Sequence, residues 1–128
     1  MTDFEALTVF AGLPVRDLEV AAHWYGQIFG RDPDGRPTPQ IAEFYLGEQR
    51  MPERGTLQLR EDAARAGGGL ATINVSDITE IAHALQGLGA SFDLQRFPIE
   101  AETVIAVTVG TFQDPDGNAV TVVQPHLR

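Results

Sequence analysis

"FQDPDGNAVTVVQ", residues 112–124, decides the fold, because a tight turn in it runs directly into a strand. The DPDGN segment consists largely of turn-forming residues, and aspartate side chains cap backbone N–H groups in such turns. The Asp114 and Asp116 pair is therefore interpreted as part of a turn and not as a calcium loop. The strand predicted over residues 119–124 alternates its side chains between two faces, so one row faces away from the main core.

A second signature occurs near the start of the chain and again about halfway along it. The segment LPVRDLEVAAHWYGQIFG at residues 13–30 matches INVSDITEIAHALQGLGA at residues 73–90, with an offset of 60 residues. Each copy reads as a strand, then an aspartate, then a helix. A repeated unit of this kind indicates a fold built from two similar modules.

The limits of the two helices follow from their capping residues. Asp17 and Asp77 stand directly before the periodic apolar positions, where an N-cap is expected. Glu80, three residues after Asp77, resembles the second half of a capping box. Glycines follow both periodic runs and accept the left-handed conformation that ends many helices. We predict helices over residues 18–29 and 78–88.

Runs of β-branched and aromatic residues follow each helix and indicate about three strands per copy. In the first copy, residues 30–40 are interpreted as a Pro/Gly loop and residues 48–55 as holding a short edge strand. One such unit cannot bury both faces of its sheet, so two units must close on each other. We therefore predict an α+β fold with a single domain, residues 1–128, in which module 1 spans about 5–62 and module 2 about 68–126.

Side-chain alternation separates two rows of residues on four of the predicted strands. One row is aliphatic, and we expect it to pack beneath the helices, where each buried side chain contributes about 1.5–3 kcal/mol. The other row is half polar, which is typical of the wall of a small-molecule pocket. The predicted pocket residues are Phe10, Gly12, Phe44, Gln58, Arg60, Leu70, Thr72, Asn74, Thr108, Phe112 and Thr121. For Phe10 and Leu70 the alternative is plain core between the modules.

Composition limits the partners and the chemistry. The net charge of −9, from 9 Lys and Arg against 18 Asp and Glu, argues against binding to nucleic acid or to anionic membrane surfaces. The absence of cysteine excludes disulfides, thiolate metal sites and cysteine nucleophiles. No secretory signal is visible, and no apolar run approaches the roughly 20 residues needed to cross a bilayer. We therefore expect a cytoplasmic protein.

The two motifs, LPVRDLEVAAHWYGQIFG and FQDPDGNAVTVVQ, resemble the opening and closing motifs of the vicinal oxygen chelate superfamily. That superfamily contains glyoxalase I, bleomycin resistance proteins and extradiol dioxygenases. The resemblance covers essentially the whole chain and implies paired βαβββ modules that curl into an incomplete barrel around a cavity. It also implies a homodimer, because single-domain members commonly build their cavities from two chains.

The resemblance also assigns the positions that hold a metal ion in some relatives. Their ligands are His, Glu or Gln on the first and fourth strands of each module, and the matching positions here are Phe10, Gln58, Leu70 and Thr121. Only the Gln58 amide is an acceptable ligand among these side chains, whereas a divalent catalytic site needs about three His or carboxylate ligands. The three histidines are expected at the surface. We predict no metal and no cofactor.

The leading prediction is a metal-free protein that binds a small molecule, such as a drug or a metabolite. Aromatic and aliphatic side chains of the half-polar row would supply contact area, and the amides and hydroxyls of this row would orient the ligand. Arg60 stands out, because a buried guanidinium favours a carboxylate or an anionic ligand. The alternative is a surface arginine paired with Glu61 or Asp62.

Two enzymatic alternatives stay open. One is a metal-independent isomerase, lyase or cyclase acting on a small carbonyl compound. It requires a general acid or base near the substrate, and the candidates are Glu43, Asp93 and Glu102. The other is a metal-dependent enzyme of the glyoxalase or dioxygenase type, which would need ligands outside the positions that the resemblance assigns. A role in protein interaction is a further alternative.

Overall fold

The computed structural model describes residues 3–128, and its elements repeat in the order that the two sequence copies predict. The first module contains β1 (Ala11–Val15), α1 (Leu18–Phe29), β2 (Gly35–Thr38), β3 (Ile41–Tyr45) and β4 (Thr56–Glu61). The second module contains β5 (Leu70–Asn74), α2 (Ile78–Gly87), β6 (Gln95–Pro98), β7 (Val104–Gln113) and β8 (Ala119–Leu127). Two short 3₁₀ turns, Glu48–Arg50 and Pro52–Arg54, lie between β3 and β4.

Each module forms its own four-stranded sheet, with strand orders β1-β4-β3-β2 and β5-β8-β7-β6. The first strand of each module runs parallel to the last one, and all other neighbours are antiparallel. A parallel neighbour requires a crossover connection, and α1 and α2 lie within the two crossovers. These observations confirm the predicted α+β fold of two paired βαβββ modules.

Both helices begin after the predicted aspartates. The Asp17 and Asp77 side chains accept hydrogen bonds from backbone N–H groups three and two residues later, at 3.1 and 3.0 Å. The predicted capping box is wrong in its second half, because the Glu80 side chain makes no hydrogen bond within residues 3–128. The N–H of Ile78, the first residue of α2, donates to Gln124 Oε1 at 2.8 Å. Neither helix in this part of the chain has the length and apolar character that a membrane crossing requires.

The predicted aliphatic rows form the core beneath the helices. Their most deeply buried side chains are at most 1% exposed: Leu13, Val15, Leu57, Leu59, Val120 and Val122. Val9, which precedes Ala11 by two residues in the same alternation, is 82% exposed, because β1 begins only at Ala11. The core is therefore formed by the paired inner strands of both modules and by the apolar faces of α1 and α2.

An aromatic cluster joins α1 to both sheets. Trp24 and Tyr25 lie 5.1 Å apart between ring centroids, and Tyr25 stacks on Phe29 at 6.1 Å. Phe29 contacts Phe44 of the first sheet at 5.0 Å, while Trp24 contacts Phe112 of the second sheet at 5.8 Å. The first helix thus packs against both modules, and its aromatic side chains help to fix their relative position.

The segment between α1 and β4 differs from the prediction in two places. Residues 35–38 were expected in a loop but form β2, an edge strand, where Pro37 is tolerated because an outer strand need not donate to a second neighbour. The edge strand expected in residues 48–55 is replaced by the two 3₁₀ turns. Pro52 explains this, because it lacks an N–H for a strand ladder and suits the first position of a helical turn.

A buried hydrogen-bond cluster in the DPDGN turn fastens the two modules together. The fully buried Asn118 donates from Nδ2 to Pro14 O at 2.8 Å and accepts at Oδ1 from Gly69 N at 2.7 Å. Asp114 Oδ2 accepts from Asn118 Nδ2 and from the Tyr25 hydroxyl, each at 2.8 Å. Burial and the nearby Asp114 carboxylate raise the pKa of the Tyr25 hydroxyl, which therefore remains a donor at neutral pH.

The substitution Asn118→Ala tests this junction. We expect the free energy of unfolding to fall by about 2–4 kcal/mol, because Pro14 O and Gly69 N then lie buried without partners. Urea denaturation followed by circular dichroism measures the change. Asn74→Ala is the matched control, since Asn74 is exposed and its side chain has no hydrogen bond within residues 3–128. The control should change stability by less than about 0.5 kcal/mol, and equally small losses in both variants would contradict the role of Asn118.

Candidate functional site

A cleft of about 690 Å³ opens at the junction of the two modules. Ala11, at the start of β1, and Val9, just before this strand, line one side of it, and residues 72–75 of β5 and its extension line the other. The opposite ends of these two strands are tied together by Asn118. The volume lies within the range of small-molecule sites, about 300–1,000 Å³.

Both modules contribute apolar and polar groups to the walls. The remaining lining residues of module 1 are Ile28, Phe29, Arg31, Tyr45, Leu46, Gly47, Arg50, Arg54, Gly55, Thr56 and Leu57. Module 2 also contributes Ser76, Asp77, Glu80 and Ile81. Arginines line the cleft on the side of module 1, carboxylates on the side of module 2, and aliphatic side chains come from both. Such a mixture suits an organic ligand held by apolar contact and oriented by a few polar groups.

A network of hydrogen bonds fixes the end of α1 against β3 beside the cleft. Arg31 Nη2 donates to Asp34 Oδ2 at 3.1 Å and to Tyr45 O at 2.7 Å. Tyr45 N in turn donates to Asp34 Oδ2 at 2.8 Å. Desolvation acts to raise the pKa of the Asp34 carboxyl, but the bonds from Arg31 and from Tyr45 N outweigh it, and this pKa lies below its usual value.

The open face of the first sheet carries a chain of side-chain hydrogen bonds centred on Gln58. Its Nε2 donates to Glu43 Oε2 at 2.7 Å, and its Oε1 accepts from Arg60 Nη1 at 3.0 Å. Desolvation and the neighbouring Glu43 raise the pKa of the Tyr45 hydroxyl, which lies 3.5 Å from Glu43 Oε1. Gln58 and Arg60 share their strand row with Thr56, which lines the cleft. Glu43, Gln58 and Arg60 themselves lie outside the cleft lining.

The open face of the second sheet is less polar and carries hydroxyl groups. Thr72 of β5 is the register partner of Thr121 in β8, and Thr121 Oγ1 lies 2.9 Å from Thr111 Oγ1. Leu70, two residues before Thr72 and on the same row, is 82% exposed. This face thus presents hydroxyl groups beside an exposed apolar side chain.

Eight of the eleven predicted pocket residues lie on or beside these open faces. Two of them, Thr72 and Asn74, line the cleft itself. Four lie on the open rows outside the cleft lining, namely Gln58, Arg60, Leu70 and Thr121. Gly12 is the register partner of Gln58 in β4, and Phe10, just before β1, is 38% exposed.

The other three predicted pocket residues lie on the helix side of their sheets. Phe44 is fully buried and pairs with a core leucine of β4, and Phe112 is 2% exposed and pairs with a core valine of β8. Thr108 lies on the same face of β7 as Phe112, and its hydroxyl is bonded to His126 Nε2 at 2.7 Å. Phe44, Thr108 and Phe112 thus belong to the opposite rows of their strands and lie outside the cleft lining.

Arg60 also differs from both alternatives drawn from the sequence. It is exposed, so its guanidinium is not a buried charge. It bonds Gln58 and pairs with neither Glu61 nor Asp62, because Glu61 Oε2 accepts from the N–H of Leu18 and Asp62 pairs with another arginine. Arg60 thus holds the amide of Gln58 in place.

The donor set does not fit a metal ion. No group of three or more His, Asp or Glu side chains in residues 3–128 is arranged to hold one. Among the positions that the resemblance assigns, Phe10 and Leu70 have no donor atom, and the Thr121 hydroxyl is bonded to Thr111. Both ends of the Gln58 amide are also engaged. A metal at these positions would have to break existing hydrogen bonds and find its ligands elsewhere.

The loop between β3 and β4, residues 46–55, forms much of one wall and is absent from the predicted pocket residues. The segment LGEQRMPERG nevertheless contains a pattern that is typical of a binding loop. It places Arg50 and Arg54 between Gly47 and Gly55, and short irregular loops between strands often carry binding groups. Because residues 48–55 were interpreted as holding an edge strand, Arg50 and Arg54 were not predicted as binding residues.

The fold and the cleft together define a class of protein: two βαβββ modules that enclose a binding space at their junction. Sequence comparison identifies the family. The profile described as "Glyoxalase/Bleomycin resistance protein/Dioxygenase superfamily" matches residues 7–122, and the chain belongs to this superfamily. No curated protein matches the chain significantly.

Solved structures share the fold over nearly the whole chain. A glyoxalase/bleomycin resistance protein from Catenulispora acidiphila is 24% identical, with a TM-score of 0.71 over 93% of this chain and 98% of that one. An antibiotic-binding protein from a Streptomyces species is 21% identical, with a TM-score of 0.62 over 98% of both chains. A bleomycin resistance determinant encoded on a transposon is 17% identical, with a TM-score of 0.65 over 91% of this chain and 96% of that one. At these identities the likeness shows the fold alone.

A mutational cycle tests the coupling between Gln58 and Glu43. Gln58→Leu leaves the buried carboxylate without its amide donor, and we expect the free energy of unfolding to fall by about 2–3 kcal/mol. Adding Glu43→Leu should restore at least half of this loss, because the buried carboxylate is then gone as well. Thr121→Leu, at an exposed hydroxyl pair, is the control and should cost less than about 0.5 kcal/mol. Glu43→Leu is also measured alone by chemical denaturation. If the double variant loses the sum of the two single losses, the side chains are not coupled.

Proposed function

We propose that the protein binds a small organic molecule in the cleft between its modules and that no metal ion takes part. The observation that carries this proposal is the cleft itself, because its volume and its mixed lining from both modules suit such a ligand. The polar chain from Glu43 to Arg60 and the hydroxyl groups of the second sheet extend the binding surface. They would orient a ligand that reaches beyond the cleft.

The family gives this proposal further support. One similar structure is that of an antibiotic-binding protein, and another is that of a bleomycin resistance determinant. A role in binding a drug or a metabolite is therefore consistent with the uses of this fold. The choice of ligand depends on the side chains of the cleft and not on the fold.

A metal-independent enzyme is the second candidate, and one observation favours it. Glu43 is a carboxylate with only 7% exposure on the open side of the first sheet, and Gln58 holds it in a fixed position. Such a group is suited to take or give a proton. The other candidates from the sequence, Asp93 and Glu102, are exposed outside the cleft lining. A ligand recovered chemically changed after incubation would favour the enzyme, and an unchanged one favours the binder.

A cleft-filling substitution tests the binding proposal. A thermal-shift screen against metabolites and antibiotics should find compounds that stabilise the protein, by about 2.7 kcal/mol at a concentration 100 times the Kd. In Asn74→Trp, where a large ring enters the cleft, the same compounds should lose most of this effect. Gln113→Trp is the control, since Gln113 is exposed on β7 outside the cleft. Ligand stabilisation that survives Asn74→Trp would place the binding site elsewhere.

We also propose that the chain forms a homodimer. The support is a set of exposed apolar side chains near the N terminus and along the second sheet, namely Phe4, Leu7, Leu70, Phe97 and Leu127. Exposed apolar groups of this number favour burial against a second copy. Size-exclusion chromatography with light scattering should give twice the chain mass of 13.9 kDa, and Leu7→Asp should shift the mass toward the monomer. A monomer at every concentration would refute the dimer.

A further inference from the structure

Three arginines line the module 1 side of the cleft, although the chain as a whole has a net charge of −9. Arg31 lies at the end of α1, and Arg50 and Arg54 lie in the loop between β3 and β4. The protein has 9 basic residues, so a third of them lie around one opening. Such a concentration of positive charge on an acidic protein calls for a specific explanation.

The three arginines differ in how far their charges are already matched. Arg31 is bonded to Asp34 and to a backbone carbonyl, so it is part of the scaffold. Arg54 pairs with Glu48 at 3.3 Å, but both side chains are largely exposed, and exposed pairs of this kind bind weakly. Arg50 has no ion pair and no side-chain hydrogen bond within residues 3–128, and its charge acts only at longer range, where it helps to lower the pKa of the Asp34 carboxyl. Two guanidinium groups are thus available at the opening.

The loop that presents these groups has a strained backbone. Gln49 and Arg50 have φ angles of 60° and 52°, the left-handed region that residues other than glycine rarely adopt. Two consecutive residues of this kind persist only where the surroundings hold them, and such strain is concentrated at functional sites. Here Arg50 N bonds Gly47 O at 3.1 Å, and Leu46 N bonds Gly55 O at 2.9 Å. The loop is closed at its base, so the arginines are held at the opening.

The other surfaces of the cleft determine how a ligand would lie. Ile28 and Phe29 from α1 and Ile81 from α2 provide apolar contact area. Asp77 and Glu80 line the module 2 side, where they repel negative charge. A negatively charged group is therefore favoured on the module 1 side, and an uncharged body is favoured between the helices.

We propose that the cleft takes an amphipathic anion, whose carboxylate or phosphate group binds Arg50 and Arg54 and whose apolar body contacts Ile28, Phe29 and Ile81. The planar guanidinium group donates two parallel hydrogen bonds to such oxyanions. This inference rests on the proposed function and adds the class of ligand. It also places anion binding in the loop of residues 46–55 and not at Arg60, for which an anionic ligand was one of two alternatives.

Matched probes test the inference directly. Phenylpropanoate and phenylpropanamide share the same body and differ in charge, and phenyl phosphate supplies the second oxyanion. Binding of each probe to the full chain is measured by nuclear magnetic resonance titration at millimolar concentration. We expect the carboxylate, the phosphate ester or both to bind at least about tenfold more tightly than the amide, because a charge-assisted hydrogen bond contributes more than a neutral one. The order of the two oxyanions identifies the preferred group.

Charge-matched variants assign the effect to the two arginines. Arg50→Gln with Arg54→Gln should weaken oxyanion binding about tenfold or more and leave amide binding unchanged. Arg36→Gln with Arg65→Gln is the control, because it removes the same charge from two exposed ion pairs outside the cleft and should leave all probes unaffected. Glu80→Gln should leave oxyanion binding unchanged or make it tighter.

The possible results separate the two proposals. If the amide binds as tightly as the oxyanions, or if the arginine variant binds them as wild type does, the anion inference is overturned while binding in the cleft stands. If no oxyanion probe binds wild type at millimolar concentration, the anion inference is also overturned. Binding in the cleft is then tested separately, by comparing how the compounds from the thermal-shift screen stabilise wild type and Asn74→Trp. If the control double variant loses as much oxyanion affinity as Arg50→Gln with Arg54→Gln, the effect comes from net charge. That result would also refute a site at Arg50 and Arg54.

Discussion

The structure depends on one buried side chain, Asn118, which bonds the carbonyl of Pro14 in one module and the N–H of Gly69 in the other. Because this amide is fully buried, both bonds form away from water, and the loss of either partner leaves a polar group unsatisfied. A side chain at position 69 would collide with Asn118 and Leu13, so the close approach of the two strands requires glycine there. The junction is closed at this end by hydrogen bonds and aromatic packing, and it opens at the other end into the cleft. The binding space is therefore a consequence of how the modules are joined.

The local elements could be predicted from the sequence because their signals are local. Asp17 and Asp77 mark the helix starts, and aliphatic alternation marks the rows that pack beneath the helices. These features depend on side-chain spacing within a few residues, which tertiary contacts did not override. The offset of 60 residues between the copies also indicated two modules, because each copy repeats the same strand, cap and helix. The fold class followed from these signals.

The faces of β3 and β7 could not be predicted in the same way, because both rows of each strand are partly apolar. On β7 the row of Val107 and Val109 is the more aliphatic one, yet it faces away from the helices. The row of Gly110 and Phe112 faces them because it pairs with the buried valines of β8, and the ring of Phe92 packs directly over Gly110. Only the pairing between strands settles such a choice, since a shift of one residue exchanges the two faces. The loop of residues 46–55 was not predicted for a related reason, because the left-handed backbone at Gln49 and Arg50 has no signal in the sequence.

The hydrogen bonds of Gln58 show why this amide is poorly placed to hold a metal ion. The resemblance places this amide where some relatives hold a metal ligand, and its oxygen is the atom that would face the ion. That oxygen accepts a hydrogen bond from the guanidinium of Arg60, and the amide nitrogen donates to Glu43. A divalent cation at this oxygen would displace Arg60 and stand beside its positive charge, a repulsion that only additional carboxylate ligands would offset. The neighbouring positions, Phe10 and Thr121, supply none. Both ends of the Gln58 amide are therefore engaged by side chains of the same sheet, and the ligand site that we propose lies in the cleft beside Arg50 and Arg54.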